Sequence, residues 1–150
     1  MTAVLRLDAV RERVEALVPD LAGRLGNAGD FANLVERNQL PQVTPAGYVV
    51  PGGLRGLAAD AATGLFRQHF QEIVSVVLVC RVAGDPLHAR AIDAATPLVR
   101  ATLEAVLGWA PDDAIGVFEL VQAELVGAKD SALVFQIDFA LNDQLRITVS

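Results

Sequence analysis

Residues Arg67–Val82 read RQHFQEIVSVVLVCRV, and the change of character halfway along decides the architecture. The first part, Arg67–Glu72, is polar apart from Phe70. The second half is almost entirely β-branched or apolar, with Ser75 the one polar residue before Arg81. Helical spacing would place polar residues on one face throughout. A run that starts polar and turns fully apolar instead predicts a central strand that enters a core from an exposed end.

The segments around it supply its partners. Ala132–Leu141 alternates cleanly, with Leu133, Phe135, Ile137, Phe139 and Leu141 on one face and Gln136 and Asp138 on the other. Phe118–Gly127 alternates more loosely, and Lys129-Asp130-Ser131 is read as the hairpin between the two. Asn142-Asp143 reads as a further turn, leaving Leu145–Val149 as a short last strand or an extension. Between the central strand and these two, Gly84-Asp85-Pro86 turns the chain into a helix with Asp85 at the N-cap and Pro86 at N1. Ile92, Ala95, Val99, Leu103 and Val106 carry its apolar face, Pro97 predicts a kink or break, and Gly108 closes it.

Upstream, Leu7–Val18 is expected to be a helix opened by Asp8, with Val10, Val14, Leu17 and Val18 inward and Pro19 as its stop. A weak strand falls at Ala22–Asn27. Asp30 then caps a short helix, Phe31–Asn38, with Phe31, Leu34 and Val35 inward. Pro45 and Pro51 bracket a short strand at Tyr48–Val50. Residues 52–65, GGLRGLAADAATGL, hold four glycines and four alanines and are expected to form a mobile loop, with a possible helical turn at Leu57–Ala62. The order gives an α+β fold in one domain, residues 1–150, with a mixed, largely antiparallel sheet and helices packed on one face.

Composition narrows the function. A hydrophobic fraction of 53% is high for a chain with no apolar run long enough to cross a bilayer. The surplus apolar surface points to subunit interfaces, and the charged N-terminus reads as that of a cytosolic product without a signal peptide. The net charge is −6, with one lysine, Lys129, and no basic block, so phosphate binding is not expected. The lone Cys80, within the most apolar run, reads as a small core residue.

Catalytic constellations are thin. The serines at 75, 131 and 150 lie in no nucleophile elbow, and His69 and His88 have no metal-ligand spacing. His69, on the polar end of a strand, reads as a surface or interface imidazole; His88 reads as locally bonded beside Asp85. Asp138 reads as a solvated or interface carboxylate. Asp112-Asp113 follows Trp109-Ala110-Pro111 and reads as an acidic turn rather than a metal pair. The glycine-rich 52–65 segment lacks the Gly-Lys-Ser/Thr ending of a phosphate loop. No nucleophile, base and orienting group assemble, so no enzyme, cofactor or metal is expected.

Three landmarks in order, PAGYVVPGG, RQHFQEIVSVVLVCRV and AVLGWAPDD, resemble a family of small phage tail terminator proteins. Its pattern is a Pro-Ala-x-Tyr/Phe-Val-x-Pro strand, a loop, a strand of the Gln-x-Phe-x-Val-x-Val kind and a helix closing on Leu-Leu-Gly-Trp-x-Pro. The matching residues are Pro45, Ala46, Tyr48, Val49 and Pro51; Gln68 or Gln71 with Ile73 to Val77; and Leu107, Gly108, Trp109 and Pro111, in an order spanning about residues 5 to 141. The chain departs from the pattern in its glycine-rich 52–65 segment and in lacking an aromatic cluster on its last strand.

The resemblance implies a structural virion protein, assembled in the host cytoplasm, that forms a ring, most often a hexamer. Such a ring caps the tail tube, ends tube growth and meets the head-tail connector. Similar proteins serve in prophage tails and gene transfer agents. DNA is then expected to pass an acidic lumen without specific binding, and no membrane is involved. The interface expected for this chain is Gly52, Gly53, Leu54, Arg55 and Leu57, with His69, Asp112 and Asp113. The loop would order on docking. Alternatives are a head-closure or tube protein, a ligand-binding module using a cleft beside Tyr48 and Trp109, and a hydrolase built on Asp112-Asp113 and the histidines.

Overall fold

A computed structural model describes residues 5–82, 89–111, 114–129 and 131–149. Among these, five strands form one open mixed sheet in the order β1-β2-β3-β5-β4. The strands are β1 (Leu25–Gly26), β2 (Ala46–Ala62), β3 (Leu65–Arg81), β4 (Glu119–Lys129) and β5 (Ala132–Thr148), with helices α1 (Leu7–Leu17), α2 (Ala28–Glu36) and α3 (Ala89–Val106). β1 runs parallel to β2, and every other neighbour is antiparallel. The α+β class and the mixed, largely antiparallel sheet expected from the sequence are both present.

The long apolar run is the centre of the sheet. β3 pairs with β2 on one side and with β5 on the other along its full length. Val74, Val76, Leu78 and Cys80 point to one face, opposite Phe139, Ile137, Phe135 and Leu133 of β5. Val10, Val14 and Val18 of the α1 segment and Ala95, Leu98, Ala105 and Val106 of α3 pack onto that face to complete the core. Burying a side chain of this size is worth about 1.5–3 kcal/mol, which is why a sheet with one strongly apolar face recruits two helices. Arg13 joins those helices: its Nε donates to the carbonyl of Ala105 at 2.9 Å, at the end of α3 where cations are favoured.

The other face is covered at one end only. Tyr48 is buried, opposite Val77 and pointing away from Val49, and its ring lies 5.5 Å from Phe31 of α2. The shortest of the three helices therefore sits on the side opposite α1 and α3. Burial, with the charge of Asp30 as the smaller cause, pushes the Tyr48 hydroxyl pKa up.

Several boundaries differ from the sequence reading. Asn27, not Asp30, caps α2: its Oδ1 accepts from the Asp30 backbone at 2.9 Å while Asp30 Oδ2 accepts from the Asn27 backbone at 3.0 Å. Asp30 is thus the third-position half of a capping box. Arg6 occupies the N-cap position of α1 with no side-chain cap bond, and Asp8 lies within the first turn. Leu17 and Val35 are exposed, because the buried stripes run through Val10, Val14 and Val18 on α1 and through no fully buried residue on α2. On α3 the expected Ala95 and Val106 are buried, and Val99 and Leu103 pack half-buried against the core. Ala91, Leu98, Thr102 and Ala105 are buried as well, and Ile92 alone of the expected face is exposed. The helix continues through Pro97 as one element, so no break occurs there. The expected cap at Asp85 and Pro86 lies outside the described residues, as does His88.

The largest correction concerns residues 52–65. They form neither a loop nor a helical turn. β2 continues through Pro51 to Ala62, turns at Thr63-Gly64, and returns as β3, with Ala62 opposite Leu65. Nor is Asn142-Asp143 a turn, since β5 runs straight through it to Thr148. A three-stranded arm results, built from residues 51–62, 65–71 and 142–148.

Candidate assembly surface

The sequence builds the arm through a bulge. In the β2–β3 register, Pro51 lies opposite Val74 and Gly53 opposite Ile73, so Gly52 is the extra residue. A Cβ on Gly52 would sit 2.4 Å from Ile73 Cγ2, and Gly53 has φ +109°, a region side chains avoid. The glycine pair thus re-aims a continuing strand rather than releasing the chain. Pro51 is tolerated because β2 beyond β1 pairs on one side alone among the described residues.

No residue from 51 to 62 is buried. The arm has two unlike faces, set by the registers. Leu54, Ala61, Phe66, Leu145 and Ile147 continue the face that carries the core further back. Arg55, Asp60, Arg67, His69, Gln71, Asn142, Gln144 and Arg146 occupy the reverse. Three arginines against one aspartate make that face basic, on a chain whose net charge is −6. Arg67 holds Asp60 at 2.7 Å, and Gln68 Nε2 donates to the Leu57 carbonyl at 3.2 Å, which ties the bulged stretch of β2 to β3.

At the base of the arm a buried ion cluster closes the core. The Arg6 backbone donates to Glu72 Oε2 at 2.6 Å, and its guanidinium lies against Glu72 and donates to Asp143. Asp143 Oδ1 also accepts from the backbones of Ile115 and Gln144. All three side chains are almost completely buried. Burial pushes the Glu72 carboxyl above its ordinary value; the Arg6 bond and charge oppose this, and the neighbouring Asp143 reinforces it.

At the far edge of the sheet, β4 pairs with β5 alone among the described residues. Every residue from Glu119 to Val126 is exposed, including Leu120, Val121, Leu125 and Val126. Leu120 and Leu125 face the core side, opposite Phe139 and Phe135, whereas Gln122 and Glu124 face the reverse, opposite Asp138 and Gln136. Asp138 is held there by Ser75 Oγ at 2.6 Å and by Gln136.

Of the interface residues expected from the sequence, Gly52, Gly53, Leu54, Arg55 and Leu57 lie on the β2 limb of the arm. His69 lies exposed on its β3 limb, opposite Gln144. Asp112 and Asp113 lie outside the described residues. The sequence reading missed Leu145 and Ile147, whose alternation continues that of β5, their neighbour Phe66 on β3, and the β4 edge. Leu120-Val121 and Leu125-Val126 were visible there as adjacent apolar pairs, which the bulges at those positions explain.

Tyr48 and Trp109 share no cleft. Tyr48 packs with Phe31, while Trp109 stacks on Phe118 at 5.9 Å, under the Arg13 guanidinium on the core side of the sheet. Among the described residues no three histidine, cysteine or acidic side chains gather as a metal site, and no helix is long and apolar enough to cross a membrane. Cys80 is buried in the core, and burial pushes its thiol pKa up.

The sheet thus ends, among the described residues, in a β4 edge with one unpaired side and in an arm with two unlike faces. The model of the phage tail terminator proteins matches residues 1–149, and the chain belongs to that family. It is a phage tail structural protein and a component of the virion tail. No curated protein matches it.

Proposed function

We propose that the chain closes into a ring, a hexamer, that seats on the end of the tail tube, stops its growth and offers its opposite surface to the head connector. The observation that carries this reading, beyond family membership, is the arm. It extends beyond β1 and β4, and on its apolar face Leu54, Ala61 and Ile147 stay exposed among the described residues. The acidic chain suits a lumen that DNA crosses without adhering, since a negative wall repels phosphate. The arm and the β4 edge lie at different places on the same sheet, which suits head-to-tail contacts that close by rotation.

Purified protein examined by light scattering and electron microscopy, alone and mixed with its tail tube protein, tests the reading. Discrete rings that shorten the tubes are the expected outcome. Long cylinders formed by this chain alone would identify a tube protein instead. A monomer that leaves tube length unchanged would refute the proposal.

A further inference from the structure

The two exposed ends of the sheet match each other. Among the described residues, β1 covers β2 at Gly47 and Tyr48 alone, so the backbone edge of β2 from Val50 to Ala62 is unpaired on that side. The outer edge of β4, Glu119–Lys129, is unpaired as well, and the two free stretches are similar in length. Soluble proteins rarely leave long apolar edges open unless something pairs with them.

Polarity also agrees side by side. On the core side, β4 presents Leu120, Ala123 and Leu125, and β2 presents Leu54, Ala59 and Ala61. On the reverse side, β4 presents Glu119, Gln122 and Glu124, and β2 presents Arg55 together with Asp60, whose charge Arg67 of the same copy already neutralises. A second copy placed beside the first in the same orientation would bring its β2 next to β4 running antiparallel, as neighbours in this sheet already do. Apolar side would then continue apolar side, and an arginine would meet glutamates. Two copies of β4 facing each other would instead bring like carboxylates together.

We propose that the free edge of β4 in one copy pairs with the β2 limb of the arm in the next, extending one sheet from subunit to subunit. Main-chain hydrogen bonds supply the attraction, and the side-by-side polarity selects the strand. The free part of β2 begins where β1 ends, so adjacent copies are offset along the strands, each arm reaching beside the body of its neighbour. The contact is heterologous, with different residues from the two copies, and repeats around a closed ring. This deepens the ring reading above and rests on it.

The test is assembly mass against concentration for the full chain and four variants, with circular dichroism to confirm that each variant folds. Leu125→Glu places a charge on the β4 side, and Leu54→Glu places one on the arm side. Each is expected to raise the concentration for half-assembly by about tenfold or more. Arg55→Glu weakens assembly, and the double variant Arg55→Glu/Glu124→Arg recovers it, because every contact contains one of each. A wild-type protein that forms rings while all the folded variants still assemble normally sinks the edge pairing and leaves the ring intact. Rings that persist in Leu125→Glu but no longer stop tube growth would assign β4 to the tube protein and overturn the proposal. A wild type that stays monomeric removes the ring itself, and one that stops at a dimer points to β4 pairing with its own copy.

Discussion

Arg6 stands at the junction of three parts of the molecule: it precedes α1, and its partners Glu72 and Asp143 lie on β3 and β5 where body becomes arm. Buried ion pairs add little net stability, but removing one partner is costly because charges stay behind unpaired. Arg6→Ala is therefore expected to destabilise the fold by about 3–5 kcal/mol, read from urea unfolding. The pH dependence has a definite sign. A carboxyl raised in the fold above its ordinary 4.5 contributes stability that is full below that value and is lost as pH rises through the raised one. Without Arg6 the Glu72 carboxyl rises further. The gap between wild type and variant should therefore widen from pH 4 to pH 7; a gap that stays constant would show that Glu72 does not titrate in this range. None of this cluster was legible in the sequence, because Glu72 sits in the polar half of its strand and Asp143 looks like a turn residue. Only the register that places both beneath Arg6 reveals them.

At the scale of elements, the central strand and the clean alternation of β5 were readable because burial on a sheet face imposes a period of two. The arm was not. Glycine and alanine have weak strand preference, so 52–62 is a strand by virtue of its pairing with β3 rather than its own residues. The same weakness hid the bulge, since Pro-Gly-Gly reads as a chain break until the close approach to Ile73 is seen. Gly52→Ala should cost about 1–3 kcal/mol through overpacking against Ile73. If the melting temperature of Gly52→Ala matched that of wild type, the packing at the bulge would be looser than its geometry states. The expected face of α3 is right at Ala95 and Val106 and misplaced only at Ile92, where the helix buries the neighbouring Ala91 instead, so hydrophobicity pointed one residue away at that end.

Seen whole, the chain pairs an ordinary two-helix-on-sheet core with apolar surface that its own fold leaves open. The resemblance in three ordered landmarks pointed to the right family, because each landmark is a fixed piece of the core: the Tyr48 strand, the β3 centre and the end of α3. Of the exposed surface, the sequence singled out residues 52–57, though as a loop rather than a strand, and His69, but not the β4 edge. If those surfaces are satisfied by other copies, folding and assembly are linked, and stability follows mass action. The melting temperature should then rise with protein concentration, and the Leu125→Glu variant should lose that dependence. A melting temperature independent of concentration, in a sample shown to be a ring, would mean that the subunits dissociate only after they unfold.

The end of the described chain has a practical use. The Val149 backbone donates to the Gly64 carbonyl at 3.0 Å, so the C-terminal strand finishes at the hairpin tip. A dye or short peptide attached after that strand is delivered to the tip of the β2–β3 hairpin. It becomes a beacon for whatever the tip approaches, and a bulky fusion placed there becomes an obstruction. An affinity label for isolating the native assembly therefore has to be judged first by whether tail completion survives it.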